Sequence, residues 1–328
     1  RYEVGVPLGE PVVDHLDDEP LYLLLGRLKM LDLAWYYDDG LVRVTSQEEA
    51  ARRGVTVPYN LGDLIDAGYD RDDLTDTIIS TIDTESWSEN GGGESEIQWL
   101  GDVMFVRHNS ENQRRISGLI TALRGHGRRT FIFDPPQHIT LREKLDQPIT
   151  LKLEQAPLVV AVQKIAEAAK VDLRLDKPAL KEAGVSEREP VTLDLEERQL
   201  RTVLQVALGN FKLTWMLRDG VLWVTSEKRA DSHHKTAVYD VRDLCRDDAE
   251  GDALMAAILS QTPQQWSENG GGKADMRFAK VGTLVVSHNE SVHEELLALL
   301  DRYRAALRIS KPREEDKPDP KEVLTRYY

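Results

Sequence analysis

Short bursts of alternating apolar and polar residues run along the chain, each followed by a stripe at helical spacing. Ile149, Leu151 and Leu153 alternate with polar residues, the period of a half-buried strand. Leu158, Val162, Ile165 and Ala169 then recur at helical spacing behind Pro157, a residue suited to the start of a helix. Val171, Leu173 and Leu175 alternate again, as do Val191, Leu193 and Leu195, and Leu200, Val203, Leu204, Ala207 and Leu208 form a second helical stripe. Leu213-Trp215-Leu217 and Val221-Trp223 flank Arg218-Asp219-Gly220, where Asp-Gly signals a tight hairpin turn. Residues 147–228 are thus predicted to run strand, helix, strand, strand, helix, hairpin. The strand Val221 to Val224 closes this unit in sequence and is a candidate open edge, unless the following unit covers it.

A different order follows over 236–304: a strand at Tyr239-Asp240-Val241, a helix carrying Leu254 and Ile258, strands around Met276–Phe278 and Leu284–Val286, and a helix with Val292, Leu296, Leu299, Leu300 and Tyr303 on one face. Between its first helix and second strand lies Trp266-Ser267-Glu268-Asn269-Gly270-Gly271-Gly272, a letter-for-letter copy of Trp87-Ser88-Glu89-Asn90-Gly91-Gly92-Gly93 at a spacing of 179 residues. Trp35 and Trp215, Tyr59 and Tyr239, and His108-Asn109 and His288-Asn289 pair at a spacing of 180. The chain is a tandem duplication of about 180 residues. In the first copy Leu21, Leu24, Leu25 and Leu28 repeat the second helix, and Asp38-Asp39-Gly40 repeats the hairpin turn. Residues 149–180 have almost no counterpart there, so the first copy reads as truncated and the chain as a fragment.

The predicted organisation is a partial unit over 1–46, a module over 56–124, a linker over 125–146, a full unit over 147–228, a second module over 236–304, and a charged linker or tail over 305–328, in which 321–328 can open another strand. Units of about 75 residues bury only about 60% of their unfolded surface, so neighbours are expected to lean on one another.

The stretch Ile149 to Ser226, with its Val191–Leu195 strand, Leu200–Leu208 helix and Leu213–Val224 hairpin, resembles the short N-terminal (STN, or N0-like) domain shared by secretins and TonB-dependent receptors. Residues 10–46 resemble its second half, and 56–124 and 236–304 resemble the N1-like ring-building modules that follow it in secretins. The resemblance implies an α+β chain in which N0-like βαββαββ and N1-like βαββα domains alternate. Secretins carry the short domain once, ahead of several modules and a membrane barrel, and the sequence has no barrel-type strand series. The Trp-Ser-Glu-Asn-Gly-Gly-Gly loop is similar to repeat proteins of planctomycete-type bacteria. Together these imply a non-enzymatic scaffold for protein–protein contacts in the cell envelope, periplasmic, in a setting related to protein secretion, with partners among envelope proteins or further copies of itself. Glycan or peptide binding through the tryptophan loops, and service as an accessory region of a larger enzyme, are the alternatives.

Charge narrows the partners. The 57 acidic against 42 basic side chains give −15, which disfavours nucleic acid, since that binding rests on Lys and Arg against phosphate. The one compact basic stretch is Arg124 to Arg129. No run is long and apolar enough for a membrane helix.

No catalytic, cofactor or metal constellation is expected. Asn269 to Lys273 lacks the Gly-Lys-Ser/Thr of a phosphate loop, Ala274 following the lysine. The possible binding loops comprise Trp87, Glu89 and Asn90, and Trp266, Glu268 and Asn269, where a ring beside a carboxylate and an amide suits a glycan or peptide; equally, each tryptophan packs beneath its loop. Trp35 and Trp215 are expected in hairpin cores. Asn109 and Asn289 suit helix N-caps, and His293 is matched by Gln113. His233-His234 reads as solvated linker, Cys245 as a buried stand-in for Ile65, and Asp70–Asp73 and Asp247–Glu250 as helix starts, where the dipole favours anions.

Overall fold

The computed structural model describes residues 20–310 apart from 32, 39, 92, 126, 263–265, 267–273 and 281. Within them the chain is α+β, with several small sheets instead of one large one. Residues 1–19 of the expected unit over 1–46 and all of 311–328 lie outside the described residues. What is described of the first unit is α1 (Leu21–Arg27) and a hairpin of β1 (Leu33–Asp38) and β2 (Leu41–Ser46). Gly40 takes φ +80°, the left-handed turn conformation that glycine tolerates.

The next segment holds α2 (Gln47–Arg52), β3 (Val55–Asn60), α3 (Gly62–Asp66), α4 (Arg71–Thr81), β4 (Glu96–Leu100), β5 (Val103–His108) and α5 (Ser110–Arg124). Its strands form an antiparallel sheet in the order β3-β5-β4. Ile97, Met104 and Val106 on one face pack with Leu74 and Ile78 of α4 and Ile116, Leu119 and Leu123 of α5. Alternation along each strand sends Pro58, Gln98, Leu100, Val103 and Phe105 to the other face.

The expected linker over 125–146 is ordered into β6 (Thr130–Phe131) and α6 (Pro136–Leu145). Arg142 of α6 makes a bidentate contact with Asp134 (2.7 and 3.0 Å) and reaches Glu290 (2.7 Å), which also pairs with Lys235. Against the cost of its burial, Lys235 and Arg142 hold the Glu290 carboxyl at about 2. Leu141 and Leu145 join the next core. Charge compensation and apolar burial thus fix a stretch whose composition read as linker.

That core belongs to β7 (Pro148–Pro157), α7 (Leu158–Ala169), β8 (Leu173–Leu175), α8 (Lys177–Glu182), β9 (Pro190–Gln199), α9 (Leu200–Leu208), β10 (Leu213–Arg218) and β11 (Val221–Ser226), followed by α10 (Glu227–Asp231). The stripes of α7 and α9 pack against both a β7–β9 pair and a β10-β11-β8 sheet. Asp219 and Gly220 at φ 49° and 78° make the hairpin turn that the sequence signalled. The strand expected as an open edge is central: β11 pairs with β10 on one side and, in parallel, with β8 on the other. Leu173–Leu175 returns after the α7 crossover, so the last strand in sequence is not the last in space.

The second module has β12 (Lys235–Asp240), α11 (Asp248–Gln261), β13 (Asp275–Lys280), β14 (Thr283–His288) and α12 (Glu290–Ser310), with strand order β13-β14-β12-β6. Tyr239, Met276, Leu284 and Val286 face their own helices. Val238, Ala279 and Val285 face the opposite way, into the core of the first module. The sheet of the second copy is therefore covered on its far side by α4 and α5 of the first. Burying Val238 and Val285 alone is worth about 3–6 kcal/mol, well above the 0–1 kcal/mol of a surface ion pair. Thr236 Oγ1 donates to the Thr81 carbonyl (2.8 Å), the Tyr69 and Thr283 hydroxyls pair (3.1 Å), and Lys280 donates to the Ala67 carbonyl (2.7 Å).

Close approach here depends on Gly118. A Cβ at this position would lie 1.9 Å from the Ile132 carbonyl oxygen, which is backbone and cannot rotate aside. The equivalent position in the second copy is an exposed Ala298. Gly118→Ala should cost about 1–3 kcal/mol, the usual range for overpacking, whereas Ala298→Ser should be near neutral; chemical denaturation of both variants checks this, and equal stabilities would contradict the packing.

Candidate interaction surface

Each tryptophan of the repeated loop is anchored beneath it. The Trp87 ring meets His108 edge-on at 4.7 Å and its Nε1 donates to the Ile82 carbonyl (2.7 Å). The Trp266 ring meets His288 edge-on at 4.8 Å and its Nε1 donates to Thr262 Oγ1 (2.6 Å). Both are 1% exposed. Asn90 donates to the Thr84 carbonyl (2.8 Å) and Gly91 takes φ +75°. What the first loop offers to solvent is Glu89 and the rim of Asn90. Glu268 and Asn269, and the stretch 269–273 weighed as a phosphate cradle, lie outside the described residues. Of the hairpin tryptophans, Trp215 packs against its unit's core, while Trp35, expected in a core, is half-buried beside Arg114 at 5.0 Å.

The histidines sit in structural positions. His108 Nδ1 accepts the Asn109 N–H (2.9 Å), and burial pushes its pKa down to about 4. Asn109 caps α5 by accepting the Asn112 N–H (2.9 Å), and Asn289 caps α12 through Val292 (2.9 Å). His293 and Gln113 do the same job: the Tyr239 hydroxyl pairs with His293 Nδ1 at 2.7 Å, and the Tyr59 hydroxyl pairs with Gln113 Oε1 at 2.7 Å. His293 is pushed down to about 3 by burial. His233, read as solvated, is half-buried between units and held well below its usual value by burial and by Arg218, Lys235, Arg115 and Lys29. Cys245 is buried, and burial with nearby Glu250 pushes its thiol up to about 11. Asp70 and Asp247 cap α4 and α11. The basic stretch is spent internally: Arg124 clamps Asp63 (2.6 and 2.9 Å), Arg128 pairs with Asp301, and Arg129 lies over Phe131.

A surface emerges when the two modules are compared position by position. On the covered sheet of the second copy Val285 and Ala279 are wholly buried. The first-copy equivalent of Val285, Phe105, is half-buried, and Leu100 on the same face, whose register counterpart is Lys280, is 73% exposed; Ala279 is the extra residue at the β13 bulge. On the docking helix, Thr77, Ser80 and Thr81 are buried at 1%, 7% and 3%. Their equivalents on α11, Ala257, Ser260 and Gln261, are exposed. Among the described residues the chain thus presents an uncovered sheet face on its first module and an uncovered helix face on its second, the two halves of an interface it already makes once internally. Residue spacing alone did not reveal this; the signal is the unbroken apolar run in both copies, Val103-Met104-Phe105-Val106 and Leu284-Val285-Val286, which gives each strand two apolar faces to cover.

The chain matches no family model and no curated protein sequence. Among the described residues no group of three or more His, Cys, Asp or Glu side chains is placed to hold a metal ion, and no helix is long and apolar enough to cross a membrane.

The buried histidines make stability acid-sensitive. The unfolded chain binds protons near the usual 6.5, the folded His108 and His293 only near 4 and 3. The unfolded state therefore gains protons first as the pH falls, and stability drops from about pH 6.5 downward by up to about 1.4 kcal/mol per pH unit per histidine. His293→Gln, copying Gln113, should fold at neutral pH and lose about 2 kcal/mol less than the parent between pH 6.5 and 5. Melts across that window check it, and an unchanged slope would contradict the assignment.

Proposed function

We propose that this chain is a non-enzymatic scaffold of the bacterial cell envelope, periplasmic in setting, whose repeated α+β units stack on one another within and between copies. The observation that carries this reading is the internal contact of α4 and α5 with the β12–β14 sheet, together with its two unfilled counterparts. Such a contact is heterologous: helix face and sheet face differ, so repeating it generates a ring or an open filament. The element order supports the resemblance to secretin-type domains. Over 148–226 it runs βαββαββ with the short α8 added, and over 235–310 it runs βαββα.

In the internal contact Gly118 admits the Ile132 backbone to α5. The helix face of the second module and the sheet face of the first are the two halves of that contact, so the partner that fits both is a further copy, its α11 and α12 set against Leu100, Phe105 and Pro58.

Sedimentation velocity over a wide concentration range tests the reading. Self-association that rises with concentration is expected. Leu100→Glu on the sheet face and Ala257→Glu on the helix face should each abolish it while leaving the melting temperature within about 2 °C, since both sites are exposed in the monomer. A chain that stays monomeric to about 1 mM, the weak limit of specific association, would overturn self-stacking.

A further inference from the structure

In a chain carrying −15, a cavity of about 460 Å³ between the first-copy elements and the second hairpin collects six cationic side chains, Lys29, Arg114, Arg115, Arg218, Arg229 and Lys235, against two carboxylates, Glu111 and Asp219. Several of the cations have partners elsewhere: Arg229 pairs with Asp176, Lys235 with Glu290 and Arg218 with Asp219. That leaves Lys29, Arg114 and Arg115 around Glu111, with Asp219, already paired to Arg218, acting on Arg114 as the weaker charge partner. Lys29 and Arg115 both bond that carboxylate. Arg114 does not. Its Nε and Nη1 are buried without any hydrogen-bond partner, and its guanidinium lies 5.2, 5.0 and 6.0 Å from the rings of Tyr22, Trp35 and Phe133.

Aromatic faces attract a cation but do not neutralise it, and a desolvated guanidinium short of counter-charge is costly. Burial pushes the Arg114 pKa down, as expected for such a group. His233, on the same wall, is held well below its usual pKa by burial and by the neighbouring cations.

We propose that this cavity is a receptor site for a small polyvalent oxyanion, carboxylate or phosphate, whose charge completes what Glu111 leaves uncompensated. Arg114 and Lys29 hold the anion, and the rings of Trp35 and Tyr22 flank its body. The site needs elements of both copies, because Lys29, Trp35 and Arg114 come from the first and Arg218 and His233 from the second.

Calorimetric titration of the full chain with citrate and with inorganic phosphate, at fixed ionic strength against chloride, tests the site. Saturable one-site binding of at least one anion is expected; citrate alone identifies a carboxylate ligand, and phosphate alone a phosphate ligand. Arg114→Gln and Lys29→Gln should each weaken it at least about tenfold, the worth of one charge-assisted hydrogen bond. Arg107→Gln, on the exposed sheet face, should leave it unchanged. Should Arg114→Gln fail to fold, Lys29→Gln on the cavity rim carries the comparison. No saturable binding of either anion below about 10 mM, far above any specific affinity, or equal affinity in the Lys29 variant, would overturn the proposal.

Discussion

A small sheet with two apolar faces and helices of its own for only one of them must find a second cover. This constraint organises the molecule. β12 and β14 place Tyr239, Leu284 and Val286 towards α11 and α12, and Val238 and Val285 the other way. The cover is supplied by α4 and α5 of the preceding copy, whose docking side is made of small residues, Thr77, Ser80, Thr81 and Gly118, so that helix backbone comes close to strand. Duplication turns what would be an aggregation hazard into an internal interface.

The rest of the architecture follows from holding the two modules together. Residues 125–146 must span from the end of α5 to the start of the next unit, and on the way they add β6 to the covered sheet and clamp α12 through Arg142 and Glu290. The same path brings Lys29, Arg114 and Arg115 opposite Arg218 and His233. A charge cluster thus assembles from residues that no local stretch of sequence places together.

Within each unit the sequence was informative. The α7 and α9 stripes, the Asp219-Gly220 turn and the Asn109 and Asn289 caps stand where apolar period and turn chemistry put them, because these are local effects. The internal repeat also made equivalent roles legible, as when Gln113 and His293 hold the same tyrosine. Pairing between distant segments was not legible. Strand β8 lies against β11 because a crossover returns it there, and the order of strands in sequence does not encode that. The strand and helix of 125–146 were hidden by polar, proline-containing composition, since ion pairing through Arg142 and the burial of only a few apolar side chains, Phe131, Leu141 and Leu145, fix them. The exposed surface on the first module was invisible for a further reason: its meaning appears only beside its covered twin.

The account stands on the claim that the first copy's helices stabilise the second copy's sheet. Hydrogen exchange read by mass spectrometry on the full chain, with and without Thr77→Arg, tests it most directly. Thr77 is 1% exposed and lines the groove between α4 and β13, so a large charged side chain there must open the contact. The account predicts faster exchange in β12, β13 and β14 as well as in α4. Faster exchange confined to 55–124, with the second copy's strands protected as before, would contradict it.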